Sequence, residues 1–169
     1  MRYKILSLIA AVALLAACET AGEGGGAKAG GGAKPTETFT TPLGMIKPGS
    51  QEDLVVNVGD RVFFDFDKFN LKPEARKTIE KQAAWLKANP AVRITIEGHA
   101  DERGTREYNL ALGERRANSA KDYLISLGTN PGRIKTISYG KERPVAMGSN
   151  EAAWAQNRRS VTVVTGTGS

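Results

Sequence analysis

One arginine interrupts an otherwise regular helical stripe. From about Thr105 the chain reads TREYNLALGERRANSAKDYLISLG. At about 100° per residue, Leu112, Ala120, Tyr123, Leu124 and Leu127 fall within an arc of roughly 120°. Arg116 points into the middle of that arc, about 20° from Tyr123, and Asn109 shares the direction of Leu127. Arg115 points well away from it. A guanidinium on a packing face needs an acidic partner or an anionic ligand, because burying it unpaired is costly. The fold must therefore bring such a group to Arg116, and the loop just upstream carries Asp101, Glu102 and Arg103. On the pattern alone, leucine at position 116 restores the stripe at little cost in stability.

The segments around this helix alternate between strand and helix patterns. Leu54–Val58 reads as a short edge strand and Gly59-Asp60 as a turn. Residues 61–66 read as a strand, with Val62, Phe64 and Phe66 on one face and Phe63, Asp65 and Asp67 on the other. Phenylalanine on both faces implies cover on both sides. Pro73 opens a helix whose stripe is Ala75, Ile79, Ala83 and Leu86, widened by Trp85. Asn89-Pro90 ends it, since a residue before proline avoids the α region. Residues 92–98 alternate as a strand, 99–104 form a polar loop, and the helix over 105–127 closes at Gly128. A strand over 134–139, a loop over 140–150, a short helix over 151–158 and a strand over 160–165 complete the chain.

That order predicts an α+β fold: a two-layer mixed sheet with βαβ units and helices mainly on one face. Each crossover favours parallel neighbours. Asp67 and Asp101 then follow the carboxyl ends of two strands on the same edge, where ligands of open α/β sheets gather.

The N-terminal third has a different composition. Arg2 and Lys4 precede an apolar run over residues 5–17, too short to span a bilayer as a helix, which closes with Leu15-Ala16-Ala17-Cys18. Residues 1–17 are expected to be a cleaved signal peptide. Residues 18–52, rich in Gly, Ala, Lys and Thr, bury too little surface to offset the entropy of ordering and read as a flexible tether. A chain of that kind spans about 30 Å rms. The folded domain is expected over 53–169. Cys18 is the only cysteine, so no intramolecular disulfide forms. Without Arg2 and Lys4, 22 basic residues face 18 acidic ones. This +4 surplus contains no Lys/Arg run, which argues against a nucleic-acid partner.

Several separate segments agree in order and spacing with one family. EGHADERGTREYNLALGERRAN, FFDFDKFNLKPEA, SYGKERP and AAWAQNRRSV together resemble the OmpA-like peptidoglycan-binding domains, and specifically their lipoprotein branch, over residues 55–165. The resemblance implies that Asp101, from the Gly-His-x-Asp motif, and Arg116 grip the amino-acid end of meso-diaminopimelate in the peptidoglycan stem. It places Phe66, Asp67, Arg103, Asn109 and Leu112 in the pocket wall. It further implies that Cys18 becomes an acylated N-terminus anchored in outer-membrane lipid, with Glu19 favouring outer-membrane sorting. The partners implied are peptidoglycan and the periplasmic proteins TolB and TolA, in a role supporting envelope integrity and cell division.

Other readings of the same residues stand beside this one. Asp101 and Arg116 fit a purely structural ion pair as well. His99 with Asp101 and Glu102 suggests metal ligands or a general base, but lacks zinc-site spacing, so His99 reads as a satisfied structural histidine. Asp65 and Asp67 suggest a paired carboxylate, and hence a cell-wall hydrolase, which requires a partner about 5–9 Å away. No nucleophile motif accompanies them, so no enzyme, cofactor or metal is expected. Asn157-Arg158-Arg159 reads as a structural join between the last helix and strand.

Overall fold

The computed structural model describes residues 46–167. The expected signal peptide, Cys18 and most of the expected tether lie outside the described residues. Packing begins earlier than the expected boundary at Asp53. Ser50 caps α1 (Gln51–Asp53) by accepting from the Asp53 amide at 3.1 Å. The chain then continues as one wide π turn over Leu54–Val58.

That turn overturns the expected edge strand. Leu54 is fully buried while Val55 and Val56 are 44% and 62% exposed, a helical pattern of burial and not an alternating one. The side-chain amide of Gln51 does the pairing in place of a strand, accepting from Val164 N at 2.7 Å and donating to Thr162 O at 3.4 Å. The Trp85 indole donates to Asp53 at 2.8 Å and fastens the turn to the next helix.

The remaining elements are β1 (Arg61–Phe63), α2 (Pro73–Ala88), β2 (Val92–His99), α3 (Arg106–Ser126), β3 (Ile134–Gly140), α4 (Glu151–Asn157) and β4 (Arg159–Thr167). Pro73 stands in the first turn of α2, Thr105 caps α3 through its hydroxyl, and Gly128 takes a positive φ of 93° just beyond it. The sheet order is β1-β4-β2-β3. β2 and β3 are parallel, as the crossover through α3 predicts. β4 is antiparallel to both β1 and β2 and lies between them. The expectation of a parallel pair across α4 therefore fails. α4 has only seven residues, about 10 Å of helix, too short to carry the chain back along the sheet.

One face of the sheet carries the core. Val62, Ile94 and Ile96 pack with Ile79, Leu86, Ala117, Ala120 and Leu124 of α2 and α3. Leu127, expected on that stripe, is 41% exposed because α3 ends at Ser126. Gln82, absent from the expected stripe of α2, is buried and donates to Gly59 O at 2.7 Å. Phe63 and Ile137 lie on the opposite face and stay exposed. β1 stops at Phe63, and Phe66 beyond it is 56% exposed. The expected cover on both faces of residues 61–66 is absent because helices α2 and α3 belong to one layer.

Candidate functional site

β1 and β2 run in the same direction, each being antiparallel to β4. The segments that leave them, 64–72 and 100–105, emerge at the same edge, and the start of α3 supplies the third wall. Phe66, Asp67, Asp101, Arg103, Gly104, Tyr108, Asn109, Leu112 and Arg116 line a cavity of about 250 Å³ there.

Arg116 is fully buried at its floor. Its Nε donates to Lys68 O at 2.9 Å, Nη1 to His99 O at 2.8 Å and Nη2 to Asp65 O at 3.1 Å. A guanidinium has five N–H donors, so two are left without a partner among the described residues. Burial lowers its pKa to about 10, against the pull of Asp101, so it remains a cation at neutral pH. Among the described residues no carboxylate lies within ion-pair distance of it. The ring of Phe64 packs 5.2 Å from its central carbon. The result is a fixed positive charge held by carbonyl dipoles, with donors to spare for a planar anion.

Asp101 is also buried, at 4% exposure. It pairs with Arg103 at 2.6 Å and Arg158 at 3.4 Å, so it and Arg116 do not form the direct ion pair considered above. Burial alone would raise its pKa, but the hydrogen bonds from Arg103 and Arg158 outweigh that and hold it below the usual carboxylate range. Asp67 takes a positive φ of 56°, a left-handed conformation disfavoured for any side chain and found at no other non-glycine among the described residues. It accepts from the Tyr108 hydroxyl through one oxygen. Asn109 donates to Arg103 O at 2.9 Å, and the Arg103 guanidinium lies 3.9 Å from the Phe66 ring and 4.1 Å from the Trp154 ring.

A family model described as the OmpA family matches residues 63–158, more than half of the chain. The chain belongs to the OmpA family. The peptidoglycan-associated lipoprotein of Rhizobium meliloti is 58% identical over 126 residues, covering 75% of this chain and 72% of the relative. That of Pseudomonas aeruginosa is 40% identical over 157 residues, covering 92% and 93%. Among solved structures, the peptidoglycan-associated lipoprotein from Burkholderia pseudomallei superposes with a TM-score of 0.61 at 43% identity. It covers 63% of this chain and 90% of that one.

In this OmpA-family domain all seven residues singled out in the sequence for the pocket, Phe66, Asp67, Asp101, Arg103, Asn109, Leu112 and Arg116, line one cavity. Tyr108 and Gly104 join them unannounced. Tyr108 sits three residues past the Thr105 cap, so its position on the first turn of α3 was the available signal. Arg158, read as a structural join, donates to Asp101, to Phe64 O at 3.0 Å and to Glu151 at 2.6 Å. It ties the base of the site to α4.

His99 departs from its expected role. It is buried, but neither ring nitrogen has a hydrogen-bond partner among the described residues, so it is not a satisfied histidine. Burial, then the charges of Arg159 and Arg143, lower its pKa to about 4. It therefore packs as a neutral ring, 5.6 Å from that of Tyr139, with the Glu97 carboxylate 3.6 Å away. A ring only 2% exposed reaches no substrate. The Asp65 carboxylate pairs with Lys72 at 2.9 Å on the surface. No helix among the described residues is long and apolar enough to cross a membrane.

Proposed function

We propose that this domain binds peptidoglycan without enzymatic action, by holding the meso-diaminopimelate of the stem peptide. The free end of that residue is a zwitterion. Its carboxylate meets the spare donors of Arg116 and its ammonium meets the carboxylate side of the pocket, Asp101 and Asp67. The observation that carries this reading is Arg116 itself, a fully buried cation on the cavity wall with no carboxylate partner among the described residues. The names of the relatives support it, since they are peptidoglycan-associated lipoproteins.

With Cys18 acylated, the chain ties the outer membrane to the cell wall, its domain in the periplasm at the end of a slack tether. In the same reading it works with TolB and TolA in envelope integrity and division. The deciding experiment is calorimetric titration of the protein with stem peptides ending in meso-diaminopimelate or in lysine. Lysine keeps the ammonium but lacks the second carboxylate, leaving Arg116 unpaired, a loss of about 2–5 kcal/mol. Equal affinity for the two peptides refutes the assignment.

A further inference from the structure

Asp101 is the carboxylate best placed for a ligand's ammonium, yet every acceptor position on it is filled. A carboxylate offers about four lone-pair positions. Arg103 takes three of them. Its backbone N–H and its Nε each donate to Oδ1 at 3.1 Å, and its Nη2 donates to Oδ2 at 2.6 Å. Arg158 Nη1 takes the fourth at 3.4 Å. An ammonium entering the cavity finds no free oxygen on Asp101.

Of these two arginines, one is built to stay and the other to leave. The Arg158 side chain is 7% exposed, and Phe64 O and the Glu151 carboxylate hold it from other directions. The Arg103 side chain is 30% exposed, and its guanidinium makes no side-chain hydrogen bond except to Asp101 among the described residues. What else holds it is the pair of rings, Phe66 from the β1–α2 connection and Trp154 from α4. Stacking fixes the plane of a planar cation far more than its position within that plane. Trp154 is itself anchored, donating to the Glu102 carboxylate at 2.9 Å, so one wall of the slot is firm.

We infer that Arg103 is a latch: in the unliganded site its guanidinium occupies the place on Asp101 that a ligand's primary ammonium takes, and it withdraws along the Phe66–Trp154 slot when that ammonium arrives. This rests on the stem-peptide reading of the same pocket. One cation replaces another, so the buried carboxylate is at no point left unpaired, the state that buried charges avoid. The latch lowers apparent affinity by the fraction of molecules in which it stands open. It also disfavours ligands with a neutral amide in place of the ammonium, because their N–H groups can donate to Asp101 but bring no charge to replace that of the guanidinium.

The test uses the mature full chain and the tripeptide L-alanyl-γ-D-glutamyl-meso-diaminopimelate. Calorimetry on wild type, Arg103→Met and Arg103→Lys should rank the affinities, with Arg103→Met about tenfold tighter than wild type and Arg103→Lys between them. In wild type, the Arg103 Nε–H resonance should shift at saturating peptide as it leaves Asp101. Equal or weaker binding by a folded Arg103→Met overturns the latch while leaving the stem-peptide reading intact, since wild type still binds. No binding by either protein overturns both. Should Arg103→Met fail to fold, the wild-type resonance decides, and an unchanged signal at saturation overturns the latch.

Discussion

Arg116 Nη1 donates to the carbonyl oxygen of His99 at 2.8 Å, fastening the middle of α3 to the last residue of β2. The same guanidinium reaches Lys68 and Asp65 on the connection that leaves β1. One side chain therefore sets the spacing among the three segments that line the pocket.

Arg116→Leu is consequently expected to destabilise the domain, contrary to what the helical stripe alone implies. The apolar pattern is restored, but three carbonyl oxygens lose their donor, that of His99 in a fully buried bond and those of Lys68 and Asp65 in part-buried ones, at a combined cost of about 2–4 kcal/mol. Stem-peptide binding should vanish as well. Arg115→Leu on the exposed side of α3 is the control and should alter neither property. Thermal melting of both variants beside wild type checks this, and a wild-type melting temperature for Arg116→Leu would refute the stitching role.

Gly98→Ala should prevent stable folding. A methyl group there meets the carbonyl oxygen of Gly113 at 1.8 Å, and one on Gly113 meets Ser138 Oγ at 2.3 Å. Helix α3 crosses β2 backbone against backbone at this point, so relief requires moving the helix and breaking the Arg116 contacts. Overpacking of this kind costs about 3 kcal/mol or more. A soluble Gly98→Ala protein with a wild-type urea midpoint would contradict the close crossing.

The buried ring of His99 predicts a particular acid sensitivity. Its folded pKa, about 4, lies below the unfolded value of 6.5. Between those values the unfolded chain binds more protons, so stability falls as pH drops through that window. The contribution is complete above pH 6.5 and gone below pH 4, with a full size on the order of 3 kcal/mol. His99→Leu should flatten the stability profile between pH 4 and 6.5. A ring that titrates near 6.5 by NMR in the folded protein would rule this out.

Cys18→Ala should release the protein from the outer membrane while leaving wall binding and the melting temperature of the domain unchanged. Cys18 is outside the described residues, and the pocket residues, from Phe66 to Arg116, lie far from it in the sequence. Sedimentation of the variant with membranes after digestion of the peptidoglycan would count against the lipid anchor.

Much of this molecule was legible in its sequence because one physical signal dominated each part. Pro73, Asn89-Pro90, Thr105 and Gly128 are local devices, and they bound α2 and α3 as read. The buried Arg116 and Asn109 followed from angular position alone. Leu54–Val58 misled because a run of branched residues suits a strand as well as a single wide π turn. Only the distant backbone of β4, taken up by Gln51, decides between them. Arg158 was read as structural because nothing local reveals that its guanidinium lies against Asp101, 57 residues earlier in the chain. The full occupancy of Asp101 was equally invisible, being a property of two segments together, its own loop and the one that carries Arg158.

The place of β4 has a consequence for how the molecule is made. The last strand of the chain lies in the interior of the sheet and joins β1 to the β2–β3 pair. A nascent chain that has emerged only as far as α4 holds β1 with no partner and β2 with one edge bare. The β2–β3 pair can form through the α3 crossover, while the pairings that bring β1 into the sheet are still to come. Closure of the sheet must therefore wait for residues 159–167.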